Sequence, residues 1–141
     1  MIKAVLDANI LVSAILISKG HPAKILNKWK AGAFDLITSL SILKEIGRVI
    51  FYPKIRKRLN WSDWEINEFL LGLAQFGMVV SKEPKIDVIK EDPTDNKCLA
   101  CAQKGEADFI VTGDQHLLKL QNYKGIKIVT PKGFLNILKE A

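Results

Sequence analysis

The stretch Ile2-Lys3-Ala4-Val5-Leu6-Asp7-Ala8-Asn9-Ile10-Leu11-Val12-Ser13-Ala14 changes its hydrophobic pattern at a single acidic residue. Ile2 to Leu6 is an apolar run of strand length, whereas Asn9 to Ile17 carries its apolar residues at helical spacing. A strand that hands over to a helix across Asp7 is the start of a β–α unit. The same succession recurs at Phe109 to Thr112, a strand followed by Gly113-Asp114 and a short helical turn. Two acids therefore stand just beyond two strand ends.

Working outward, Pro22 starts a helix that ends near Gly32, and Phe34 to Thr38 reads as the second strand. In the next helix Ile42, Leu43, Ile46, Val49 and Ile50 share one face, and Pro53 stops it. Ser62 caps a further helix with Ile66, Phe69, Leu70 and Leu73 on one face; Gly77 ends it, and Met78 to Val80 is a short third strand before the polar connector around Pro84. Asp92-Pro93-Thr94-Asp95 supplies an N-cap residue, proline at the first helical position and a carboxylate three residues after the cap, which predicts a helix through about Gln103. Ile126 to Val129 is the last strand, and Thr130-Pro131 opens the terminal helix. Strands alternating with helices, joined by connections too long for hairpins, predict a mainly parallel sheet covered on both faces, an α/β sandwich. No repeat, charged tail or long flexible linker interrupts residues 1–141, so one domain is expected.

The composition agrees with a folded chain. Its 141 residues are 48% hydrophobic and 26% charged, which argues against long disorder. Ile10 to Ile17 is the longest apolar candidate and falls well short of the roughly 20 residues that span a bilayer. Asp7 and Asn9 interrupt the N-terminal apolar segment where a secretory signal would need it unbroken, so a cytoplasmic protein with no membrane span is expected. Cys98 and Cys101 form a single C-x-x-C, and neither His21 nor His116 stands at the companion spacing of a zinc site; they read as small buried helix residues. The net charge of +6 favours a polyanionic partner, because lysine and arginine displace counterions from phosphates.

Many basic proteins bind no nucleic acid, so the acids must decide the function. In open α/β sheets ligands bind outside the carboxyl ends of the strands, near the point where strand order reverses. Asp7 and Asp114 lie at two such ends, while the rim that receives Asp95 is not determined by sequence. Each acid also has a plainer reading. Asp7 and Asp114 can cap the helices they precede, Asp92 and Asp95 can form a capping pair, and Glu45 can be a solvated residue at the edge of the Ile42/Ile46/Val49 face.

Four segments stand in a recognisable order: Val5 to Ala14, the pair Lys44-Glu45, Asp92-Pro93-Thr94-Asp95-Asn96-Lys97, and Ala107-Asp108-Phe109-Ile110-Val111-Thr112-Gly113-Asp114. Together they resemble a PIN domain over essentially the whole chain, and within that family the VapC-type ribonuclease toxins of toxin–antitoxin systems. The resemblance implies a three-layer sandwich around a five-stranded parallel sheet and one acidic pocket that binds Mg²⁺ or Mn²⁺. Carried residue by residue, it implies Asp7, Glu45, Asp95 and Asp114 as metal ligands and catalytic acids. Asn9, Ser13, Thr112 and Asp92 would support the pocket or contact phosphate. Ala8 stands where relatives often carry a hydroxyl residue, but every implied carboxylate is present. The partners implied are RNA, a cognate antitoxin and a second copy of the chain in a homodimer.

The chemistry asks for the same residue types. Clustered carboxylates repel one another, so such a site raises their pKa values or recruits a cation. Hard oxygen ligands suit Mg²⁺ or Mn²⁺, and a metal can position water, polarise a phosphate and stabilise a leaving oxygen. His116 could relay a proton or be an ordinary turn residue. Lys54, Arg56, Lys57 and Arg58, with Trp61 and Trp64 nearby, could grip RNA or form a solvated face beside core tryptophans; the Ile66/Phe69/Leu70/Leu73 face is core whose excess could serve a dimer. Two other classes compete with the ribonuclease. A haloacid-dehalogenase-like phosphohydrolase with Asp7 as nucleophile wants a second aspartate where Asn9 stands. The other is a signalling or binding module, either a receiver-like phospho-acceptor domain, which wants an acidic pair at the first strand end where only Asp7 is present, or a non-catalytic RNA-binding domain.

Overall fold

β1 (Lys3–Leu6) occupies the middle of the sheet, as its sequence demands: Ala4, Val5 and Leu6 are apolar on both faces and all three are buried. The computed structural model describes residues 1–90 and 95–140. Beyond β1 the chain runs through α1 (Ala8–Leu16), α2 (His21–Lys30), β2 (Asp35–Ser39), α3 (Leu40–Ile50), α4 (Pro53–Arg56), α5 (Asp63–Phe76) and β3 (Met78–Val80). It continues with α6 (Asn96–Lys104), β4 (Phe109–Val111), α7 (Gln115–Leu118), β5 (Asn122–Tyr123), β6 (Ile126–Val129) and α8 (Pro131–Glu140).

The strand order is β3-β2-β1-β4-β6-β5. Parallel pairing joins all but the last pair, with Leu6 opposite Val111 and Ala4 opposite Leu36. The crossovers from β1 to β2 and from β2 to β3 step one way, and the crossover to β4 steps back past them. Right-handed connections therefore put α6 on the opposite face from α1 and α2. In agreement, α6 packs on β1, β2 and β4, while α2 packs between α1 and α8. This is an α/β fold with a central, mostly parallel sheet between helices.

The sheet has six strands among the described residues, not the five expected from sequence. The extra one is β5, antiparallel to β6, with Tyr123 opposite Ile126. Lys124 and Gly125 connect them with φ of 50° and 84°, the left-handed geometry of a two-residue hairpin turn. A two-residue strand is too short to show alternation, and lysine at the first left-handed position hides the turn.

Elsewhere the local signals describe the observed elements closely. Ser62 and Glu65 form a reciprocal capping box at the start of α5. Ser39 caps α3 by accepting from Ile42 N–H at 3.2 Å. Helix α3 ends at Ile50, and Pro53 opens α4 rather than only ending α3. Cys98 and Cys101 are buried on α6. No helix among the described residues is long and apolar enough to cross a membrane.

Candidate active site

With strand order 3-2-1-4, the reversal point lies between β1 and β4. Asp7 follows the end of β1, and its backbone N–H extends the ladder by donating to Val111 O at 3.0 Å. Thr112 follows the end of β4 and donates its N–H to Val129 O at 3.0 Å. The two side chains then meet: Thr112 Oγ1 donates to Asp7 Oδ2 at 2.8 Å and accepts from Asp114 N–H at 3.0 Å. One buried hydroxyl thus ties the first acid to the backbone of the second. Because its oxygen accepts from Asp114, its proton is directed to Asp7.

Capping does not account for Asp7, whose side chain makes no cap bond to α1. Its carboxyl is buried and its pKa is raised from its ordinary value, first by loss of solvent and further by the charges of Glu45 and Asp114. The Thr112 hydroxyl and the nearby Asn9 N–H oppose the rise without cancelling it, and Asn9 N–H does so without reaching cap geometry. Asp114, by contrast, does cap α7: its Oδ1 accepts from His116 N–H at 2.8 Å and Leu117 N–H at 3.3 Å.

Helix α6 must descend to the start of β4, so it begins at the carboxyl rim, and Asp95 arrives there at its first turn. Asp95 is buried and makes no cap bond to α6. One ligand atom each from Asp95, Asp114 and His116 lies within 4.8 Å of the others. Atoms bound to one ion at 2.0–2.6 Å lie no more than about 4–5 Å apart, so this donor set has the dimensions of a metal shell. These three residues therefore fit a divalent cation by spacing and by donor chemistry, and Asp7 adjoins them through Thr112.

The remaining sequence candidates are distributed around this cluster. Glu45 is on α3, pairs with exposed Arg48 at 3.3 Å, and acts on Asp7 through its charge. Asn9 is exposed in the first turn of α1 and Ser13 is half-buried one turn further on; neither makes a side-chain hydrogen bond to the acids among the described residues. Asp92 lies outside the described residues, as does the expected N-cap and proline pair. Of the basic stretch, Arg56 braces the chain, donating to Leu59 O and Asp63 Oδ1, each at 3.1 Å, while Lys54, Lys57 and Arg58 are exposed. Trp61 packs edge-on against Phe69, whereas Trp64 is exposed.

Two contributors lie outside the ligand set that the sequence implies. Asn96 clamps the connector ahead of α6: its Oδ1 accepts from Val88 and Ile89 N–H, and its Nδ2 donates to Ile89 O at 3.0 Å. An asparagine directly after Asp95 is the available signal. His116, which from sequence could be a proton relay or a turn residue, turns its Nδ1 towards the two aspartates. An apolar cavity of about 710 Å³ lies at the other rim, between α2 and α5, lined by Met1, Trp29, Phe34, Phe69 and Phe76, and holds none of these acids.

A PIN-domain family profile matches residues 3–116. The uncharacterized protein MJ1680 of Methanocaldococcus jannaschii is 33% identical over 142 residues, covering 95% of this chain and 90% of that protein. The crystal structure of PAE2754 from Pyrobaculum aerophilum superposes with a TM-score of 0.59 at 18% identity, covering 99% of this chain and 91% of that one, which shows a shared fold. PIN domains are typically metal-dependent nucleases that bind divalent ions through acidic residues. The strand order, the acids at its reversal point and the matched profile agree: this chain belongs to the PIN domain family.

Proposed function

We propose that the protein is a metal-dependent endoribonuclease that hydrolyses RNA phosphodiester bonds, acting as the toxin of a toxin–antitoxin pair. The observation that carries the nuclease reading is the buried Asp7 carboxyl, raised in pKa and linked through Thr112 to the Asp95/Asp114 cluster. A capping role leaves that arrangement without a reason. In this reading Asp95 and Asp114 hold Mg²⁺ or Mn²⁺, Asp7 supplies a third carboxylate fixed in orientation by Thr112, and Glu45 adds negative charge beside Asp7. The ion, when bound, supplies the polarisation of the scissile phosphate and the activation of water. Asn9 and Ser13 are assigned to the phosphate.

RNA as substrate is supported by charge placement. A groove between α2 and α8 is lined by His21, Lys24, Lys28, Lys132 and Lys139, with Asn27 and Asn136 among them, and by no carboxylate. None of its lysines is in an ion pair among the described residues. Helix α8 leaves the end of β6, at the rim on which the acids gather. A protein partner, whether a second copy or an antitoxin, is supported by exposed Trp64, Leu71 and Phe76 on α5 beside Met78 and Val79 on the edge strand β3.

The deciding experiment incubates purified protein with single-stranded and structured RNA in Mg²⁺, Mn²⁺ or EDTA. Internal cleavage that requires the ion and disappears in Asp7→Asn is expected. Metal-independent cleavage, or none on any RNA, would overturn the reading.

A further inference from the structure

His116 is the one member of the cluster to which the nuclease reading gives no task. Its Nδ1 lies 3.5 Å from Asp114 Oδ1 and 3.9 Å from Asp95 Oδ2. That nitrogen is shielded from solvent and makes no hydrogen bond, although the side chain as a whole is 36% exposed. The ring thus presents its other edge to water and turns one nitrogen inward. The placement is rigid: Asp114 Oδ1 receives the backbone N–H of His116 itself, which sets the start of α7 and hence the ring.

The three ligand atoms share the spacing of one coordination shell. We propose that His116 Nδ1 is a nitrogen ligand of the metal centre beside Asp95 and Asp114, and that it biases the centre towards Mn²⁺ and later divalent transition metals over Mg²⁺. The inference rests on the metal-dependent reading above and deepens it. Nδ1 faces the carboxylate oxygens and completes an N,O donor set. Magnesium prefers oxygen ligands and retains its waters, whereas transition ions gain affinity from imidazole nitrogen. A site of carboxylates alone would not distinguish the ions in this way.

The test uses the full chain, stripped with EDTA and then titrated with MnCl₂ or MgCl₂. Pulsed electron paramagnetic resonance of the Mn²⁺ complex should show coupling to a ¹⁴N nucleus, retained in His21→Gln and lost in His116→Gln. By thermal shift, the ratio of Mn²⁺ to Mg²⁺ affinity should fall at least about tenfold in His116→Gln, the scale on which ligand-shell changes act. Bound Mn²⁺ without ¹⁴N coupling, or an unchanged ratio, overturns the His116 assignment and leaves a carboxylate centre standing. Failure of the wild-type chain to bind either ion overturns both. Should His116→Gln not fold, the wild-type ¹⁴N signal decides alone.

Discussion

Replacing Asp7 by asparagine separates chemistry from architecture, because the two sides of its environment respond in opposite directions. The asparagine side chain would keep an oxygen to accept from Thr112, now a neutral bond in place of a charge-assisted one at 2.8 Å. That exchange costs about 1 kcal/mol, the difference between the typical worth of the two bond classes. Against it stands the relief of burying a charge near Glu45 and Asp114. The raised pKa of Asp7 means that loss of solvent and the neighbouring charges disfavour the ionised form by more than the Thr112 bond favours it. Each tenfold shift in proton affinity corresponds to about 1.4 kcal/mol. In the metal-free wild type, stability falls as pH rises from the unfolded value near 3.8 through the higher folded value, since the folded state holds its proton longer. Asp7→Asn lacks that loss, so its stability relative to the wild type should rise across the same window and level off above it. Denaturant unfolding in EDTA from pH 3.5 to 8 measures this. RNA cleavage should meanwhile drop at least about 100-fold, or roughly 2.7 kcal/mol of transition-state stabilisation. A variant with wild-type cleavage, or with the wild-type pH dependence of stability, would refute the account of Asp7.

Thr112→Val should destabilise the fold by about 2–4 kcal/mol, since it removes the donor to Asp7 and the acceptor for Asp114 N–H, while Thr112→Ser should restore most of the loss; chemical denaturation compares them. Changing Lys24, Lys28, Lys132 and Lys139 to glutamine should weaken RNA binding and flatten its logarithmic salt dependence by about 0.7 per lysine that meets a phosphate, whereas an unchanged slope in filter binding would remove the α2–α8 groove from the RNA path. Burial pushes the Cys101 thiol up to about 12, with the Glu83 charge adding to it, and burial likewise raises Cys98 well above the usual thiol value. Both should therefore resist alkylation in the native state at pH 8 and react on unfolding. Their folded pKa values lie above the unfolded one, so stability should decline as pH rises past about 9, which alkaline unfolding curves would reveal.

What can be read from the chain alone is local. The change of period at Asp7, the Ser62 cap with Glu65 three residues on, and the strand Ile126 to Val129 each depend on neighbours a few residues away, and each matches an observed element. The hairpin at Lys124-Gly125 is not legible in that way, because its first strand is two residues long and its turn residue atypical. The candidate site is legible as a set of residue types and as an ordered resemblance, but not as a geometry. Hydrophobic periodicity says which face of an element is buried and is silent on which strand lies beside which. Only the pairing of Leu6 with Val111, far along the chain, brings Thr112 under Asp7, and only the return of α6 across the sheet delivers Asp95 to Asp114 and His116. Sequence determined that acids follow strand ends. The tertiary structure decided that they converge, because long-range strand order, set by the packing of the whole core, chooses which strand ends are neighbours.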